Sequence, residues 1–241
     1  MRRSIGRWTL AGGFFFALFF VAVGARCVEN TSVRVDSTGR THIYGDIFND
    51  TNIQGSQLLL HGRLLNSDGS IIAEQDSFIC PPNLAPHGQS MFDIQFNQPN
   101  LPVASSYDVH AAGGTASDTP LPDARIAITS TRAYVDAGTP LLRIDVQNSS
   151  GKEYFNLNGC VAGYDASVIV RSAKGVRLHN QTESGTPTPG QGLGAKPDYV
   201  VLHLPDAPGS VTSLRGWFWI DDGTGKQIYQ PVVTGLVPLT R

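Results

Sequence analysis

Met91-Phe92-Asp93-Ile94-Gln95-Phe96-Asn97 places Phe92, Ile94 and Phe96 in strict alternation with Asp93, Gln95 and Asn97. Successive side chains of an extended strand point to opposite sides, so this period of two predicts one buried and one wet face. The pattern recurs outward from this stretch. Tyr107, Val109 and Ala111 alternate with polar neighbours, as do Leu142, Ile144 and Val146. No window carries a helical stripe, and short alternating runs broken by turn residues predict antiparallel sheets packed as sandwiches.

Gly113 to Ala124 holds two prolines and few apolar residues, and reads as a linker. The same features follow one another on either side of it. Each half opens with a strand ending in a polar turn, Asn49-Asp50-Thr51 or Asn148-Ser149-Ser150. A hairpin is expected next, at Ser67-Asp68-Gly69 or Ala173-Lys174-Gly175. A Pro/Gly loop follows, Ala85 to Gly88 or Pro187 to Gly190, and then a closing strand, Phe92 to Phe96 or Tyr199 to Leu204. The expected organisation is therefore an all-β chain of two tandem antiparallel β-sandwich domains, 27–112 and 125–241, joined by linker 113–124. The order resembles bacterial FxLYD-type domains, on the strength of Leu64-Leu65-Asn66-Ser67-Asp68-Gly69 and of Tyr164-Asp165. That resemblance implies an immunoglobulin-like fold on an exported protein and assigns no chemistry.

Residues 1–25 read as a leader. Arg2, Arg3 and Arg7 precede an apolar run from Leu10 to Val23, and Val23-Gly24-Ala25 supplies the small residues of a cleavage site. The alternative is an uncleaved anchor, because Trp8 to Ala25 is an uncharged stretch of 18 residues. Both place the remainder outside the cytoplasm, secreted, periplasmic or anchored facing outward, with membrane contact only through residues 8–25 if they are retained. Loss of the three leader arginines moves the net charge from −2 to −5, which is no footprint for nucleic acid. Three cysteines leave one unpaired, and Cys27 with Cys80 is the candidate disulfide; Cys160 reads as a buried small hydrophobe.

Fragments of chemical motifs fail at their flanks. Gly223-Thr224-Gly225-Lys226 is followed by Gln227 where a phosphate loop needs Ser or Thr. Gly190 to Gly194 has no strand-turn-helix unit around it. The six histidines show no ligand spacing and read as surface residues; Asp221-Asp222 lacks a calcium-loop pattern. No catalytic residue, cofactor or metal is expected. Asn30, Asn49, Asn148 and Asn180 open Asn-x-Ser/Thr triplets and read as turn residues in a bacterial protein.

One segment stands out, Leu214-Arg215-Gly216-Trp217-Phe218-Trp219-Ile220. Leu214, Gly216, Phe218 and Ile220 form an apolar phase, which turns Arg215, Trp217 and Trp219 to the opposite face. Tyr229 on the return strand would join them. Such a face fits a ligand or partner, or packing between the two domains, or the core if a bulge reverses the phase. The expected role is a non-catalytic envelope protein that binds a protein or polysaccharide; the alternative is a carbohydrate-binding accessory domain or exported hydrolase using the Trp217/Trp219 face.

Overall fold

In the computed structural model, which describes residues 28–151, 154, 156–165, 168–174, 177–179, 198–221 and 228–241, every regular element is a β-strand. The expected leader 1–25, the expected loop Pro187 to Gly190, the glycine-rich stretch 190–194 and residues 222–227 lie outside the described residues. Among the described residues no helix is long and apolar enough to cross a membrane.

The N-terminal half contributes β1 (Val28–Val35), β2 (Arg40–Phe48), β3 (Gln54–Leu65), β4 (Ile71–Phe78), β5 (Asn83–Leu84), β6 (Gln89–Pro99) and β7 (Ser106–Ser117). They form two sheets, β1-β2-β6 and β4-β3-β7, with β5 added beside the start of β3. Alternation puts Ile43 and Ile47 of β2, Leu60 and Leu64 of β3, and Phe92, Ile94 and Phe96 of β6 into one core between the sheets. The hairpin expected at Ser67-Asp68-Gly69 joins β3 to β4. Gly69 takes the left-handed φ of 82° that the turn needs, and the Asp68 carboxylate accepts the Ser70 backbone N–H at 2.9 Å.

The C-terminal half contributes β8 (Ile126–Asp136), β9 (Thr139–Asn148), β10 (Asn156–Asp165), β11 (Val168–Lys174), β12 (Arg177–His179), β13 (Asp198–His203), β14 (Ser213–Asp221), β15 (Val232–Val233) and β16 (Val237–Thr240). Their order is β11-β10-β14-β16-β8-β9-β13-β12, with β15 on β14. The corner is β16, antiparallel to β14 and parallel to β8. The sheet folds over a second core, in which Val161, Leu214 and Phe218 meet Leu142, Ile144, Val200 and Leu202. Gly216 lets the layers approach this closely, since a Cβ there would lie 2.6 Å from Leu202 Cδ1 and 2.7 Å from Leu142 Cδ2. The whole is a β-sandwich-like all-β fold with two hydrophobic cores that share no residue.

Two local expectations need correction. Gly113 to Ser117 belongs to β7, because backbone pairing with Gln54–Ser56 outweighs the low apolar content of the segment. The connection then docks before β8: Pro122 O accepts the Gln230 N–H, and Ala124 is buried under Tyr154. Ala173-Lys174-Gly175 starts no hairpin either. Among the described residues β11 pairs with β10 and β12 pairs with β13, and Gly175 itself lies outside them.

The polar turns do correspond. Asn49 Oδ1 accepts the N–H of Thr51 at 3.1 Å, and Asn148 Oδ1 accepts that of Ser150 at 3.0 Å, each closing an Asx turn.

Candidate functional site

The site forms where strand phases turned away from the two cores meet. Strand β2 is buried on both sides from Thr41 to Ile47. Its apolar phase enters the N-terminal core, while His42, Tyr44 and Asp46 point the other way, and Tyr44 and Asp46 lie under β10 and β11. From the C-terminal half come Cys160, Ala162 and Tyr164 of β10, Ile169 of β11 and Trp217 of β14. With Tyr44, Cys80 and Met91 they make a third buried cluster at the junction of the two halves.

Trp217 sits on the phase read from the sequence, opposite Leu214 and Phe218, yet it is 0% exposed. The N-terminal half covers it, and its indole N–H donates to Gln89 O at 2.9 Å. The expected open aromatic surface is therefore an internal contact between the halves, the packing alternative that the alternation had allowed. Trp219 is partly buried beside the same cluster. Arg215 is half-buried, its guanidinium 5.6 Å from the centre of the Tyr164 ring. Tyr229 does not join them. Its backbone N–H bonds to Ile220 O, and its ring meets Tyr154 edge-on at 5.3 Å, next to Ile220 on the other side of β14.

The cysteine pairing is also corrected. Cys80 is bonded to Cys160, across a sequence separation of 80, and Cys27 lies outside the described residues. Spacing favoured Cys27 because both would then belong to one half. The fold instead brings the segment just after β4 and the middle of β10 to the same buried spot.

A polar network completes the junction. Tyr164 O–H donates to Asp46 Oδ1 at 2.8 Å, and Asn30 Nδ2 donates to Asp46 Oδ2 at 2.8 Å. Burial raises the Asp46 carboxyl above its ordinary value of 3.8, against the pull of these donors and of Arg215. Burial likewise pushes the Tyr164 phenol up, so it remains a donor. Arg171 donates to the Tyr44 hydroxyl at 3.3 Å, and Ser32 Oγ donates to Ile169 O. Tyr44 is also raised, by burial and then by the Asp93 charge.

His42, expected on the surface, is buried at 4% exposure, stacked on Tyr44 with ring centres 5.3 Å apart. Asp93 holds its Nδ1 at 2.7 Å and Asp36 its Nε2 at 3.3 Å. Hydrogen bonding, first from the Arg40 backbone, keeps the Asp36 carboxyl well below the ordinary range. Of the other expected surface histidines, His61 and His110 stand on the outer face of β4-β3-β7, His87 is in an exposed turn, and His203 is half-buried at the end of β13. Asp46, Tyr164 and Arg171 were not singled out from the sequence; the one available signal was a tyrosine–aspartate pair at Tyr164-Asp165, which resembled a family motif rather than an interface. Chemically the arrangement joins the halves in one orientation by a covalent bond, an apolar seam and buried hydrogen bonds.

No family model and no curated protein matches the sequence. Among solved structures, the chain is similar to the crystal structure of red sea bream transglutaminase, with a TM-score of 0.25 and 9% identity. That match covers 90% of this chain and 32% of that one.

Proposed function

We propose that the protein is a non-catalytic module of the bacterial envelope, two immunoglobulin-like β-sandwich domains of FxLYD type held as one unit for binding or assembly. The observation that carries this reading is the Cys80–Cys160 disulfide inside the junction. Structural disulfides persist in oxidising compartments, which agrees with an arginine-headed apolar leader. Two cores joined through a covalent and aromatic seam keep a fixed relative orientation, as an assembly module needs when its partner spans both. The polysaccharide-stacking alternative is weakened, because Trp217 has no ring face left to offer a sugar.

The test is an alkaline phosphatase fusion at the C-terminus, since that enzyme matures only where disulfides form. Activity is expected, followed by capture of a specific partner from envelope fractions by the folded protein but not by its reduced, unfolded form. An inactive fusion removes the export reading; captures that repeatedly return nothing remove the binding role.

A further inference from the structure

The outer face of the sheet β4-β3-β7 carries two rows of charged side chains set by strand register. His110, His61 and Asp76 lie directly across from one another on β7, β3 and β4. Asp108, Arg63 and Glu74 form the next row on the same face. The His61 and His110 rings are 5.1 Å apart, centre to centre, tilted by 51°. Two imidazoles bound to one ion at about 2.0–2.1 Å with a tetrahedral angle between them have ring centres about 5 Å apart.

Carboxylates lie beside both rings. The Nδ1 atoms face carboxylates, His61 towards Asp76 at 2.7 Å and His110 towards Asp108 at 3.4 Å. Such pairing orients a metal-binding imidazole and leaves Nε2 as the ligand atom. His61 Nε2 is 3.5 Å from Glu74 Oε2, close to the roughly 3.3 Å edge between two ligands of a tetrahedral zinc ion. Three carboxylates, Asp76, Asp108 and Glu74, share this face with the guanidinium of Arg63, which bonds to Asp108. A divalent cation would balance the remaining charge.

We propose that His61 and His110, with Glu74, bind a zinc-class divalent transition-metal ion through their Nε2 and carboxylate oxygen atoms, with the fourth position open to water. Among the described residues no three such side chains already surround one point. Glu74 is 58% exposed and free to turn inward, so the ion draws together a pair of imidazoles that the register has placed side by side. Histidine spacing along the chain hides this site, because its ligands come from three strands and meet only through pairing.

The test is calorimetric titration of the untagged full chain with zinc chloride, with visible absorption of the cobalt-loaded protein as a second readout. One saturating equivalent is expected, with the intense cobalt bands of a four-coordinate site. His61→Ala and His110→Ala should each lower affinity by about a hundredfold, Asp76→Asn by about tenfold, and His87→Ala should leave it unchanged. Glu74→Gln, at an exposed position where folding is not at risk, should weaken binding and alter the cobalt bands. Absence of binding in the wild type would overturn the proposal. So would binding that survives both histidine replacements, or one lost with only one of them.

Discussion

Trp217 and Trp219 are two residues apart on one face of β14, yet only Trp217 is completely enclosed. Replacing a buried tryptophan by alanine removes its apolar contact and leaves a cavity. Trp217→Ala is expected to cost about 3–5 kcal/mol, and Trp219→Ala much less, by urea unfolding. Equal losses would contradict the placement. Asp46 gives a second, pH-dependent expectation. Its carboxyl is raised in the folded state, so the folded chain holds a proton that the unfolded chain releases. Its contribution to stability therefore improves as pH falls through the folded value towards 3.8 and worsens at neutral pH. Asp46→Asn keeps an acceptor for Tyr164 and abolishes the charge. As pH falls from neutral towards 3.8 the wild type should gain in melting temperature relative to this variant; a constant difference would rule out the buried carboxyl as the source. Asp36 has the opposite sign, since its lowered carboxyl gives stability that is lost only as pH falls below the ordinary 3.8.

At the scale of elements, the alternating phases were readable wherever one side of a strand fills a core. Phe92, Ile94 and Phe96 in β6, and Leu142, Ile144 and Val146 in β9, lie where a period of two puts them. The same rule misled for His42 of β2, which reads as a surface residue although the phase it shares with Tyr44 and Asp46 is buried. Burial of that phase depends on a sheet more than 100 residues away in the chain, with Tyr164 and Asp46 separated by 118 positions. Local composition also hid the end of β7, because strand pairing asks only for backbone groups and tolerates Gly113, Gly114 and Thr115. The phase of β14 was legible, but which body would cover its tryptophans was not. Closing a loop with a separation of 80 residues should contribute about 4–5 kcal/mol by restricting the unfolded chain. Cys160→Ser is expected to lower the melting temperature markedly in calorimetry. A melting temperature equal to that of the wild type would mean that no such bond forms.

For the whole molecule, two cores with no shared residue are coupled through a third cluster that belongs to neither half alone. Coupling of this kind predicts one cooperative unfolding transition in the oxidised protein and two separable ones in a Trp217→Ala/Cys160→Ser double variant, by scanning calorimetry. Cys80 and Cys160 are almost fully enclosed, at 2% and 0% exposure, so reductant should reach them only when the junction opens. The most direct measurement is peptide mapping by mass spectrometry of the native protein, digested without reduction after free thiols are blocked. A cross-linked pair of peptides containing Cys80 and Cys160 is the expected result. Recovery of Cys80 linked to Cys27, or of Cys80 and Cys160 both as blocked thiols, would contradict the junction on which the account depends.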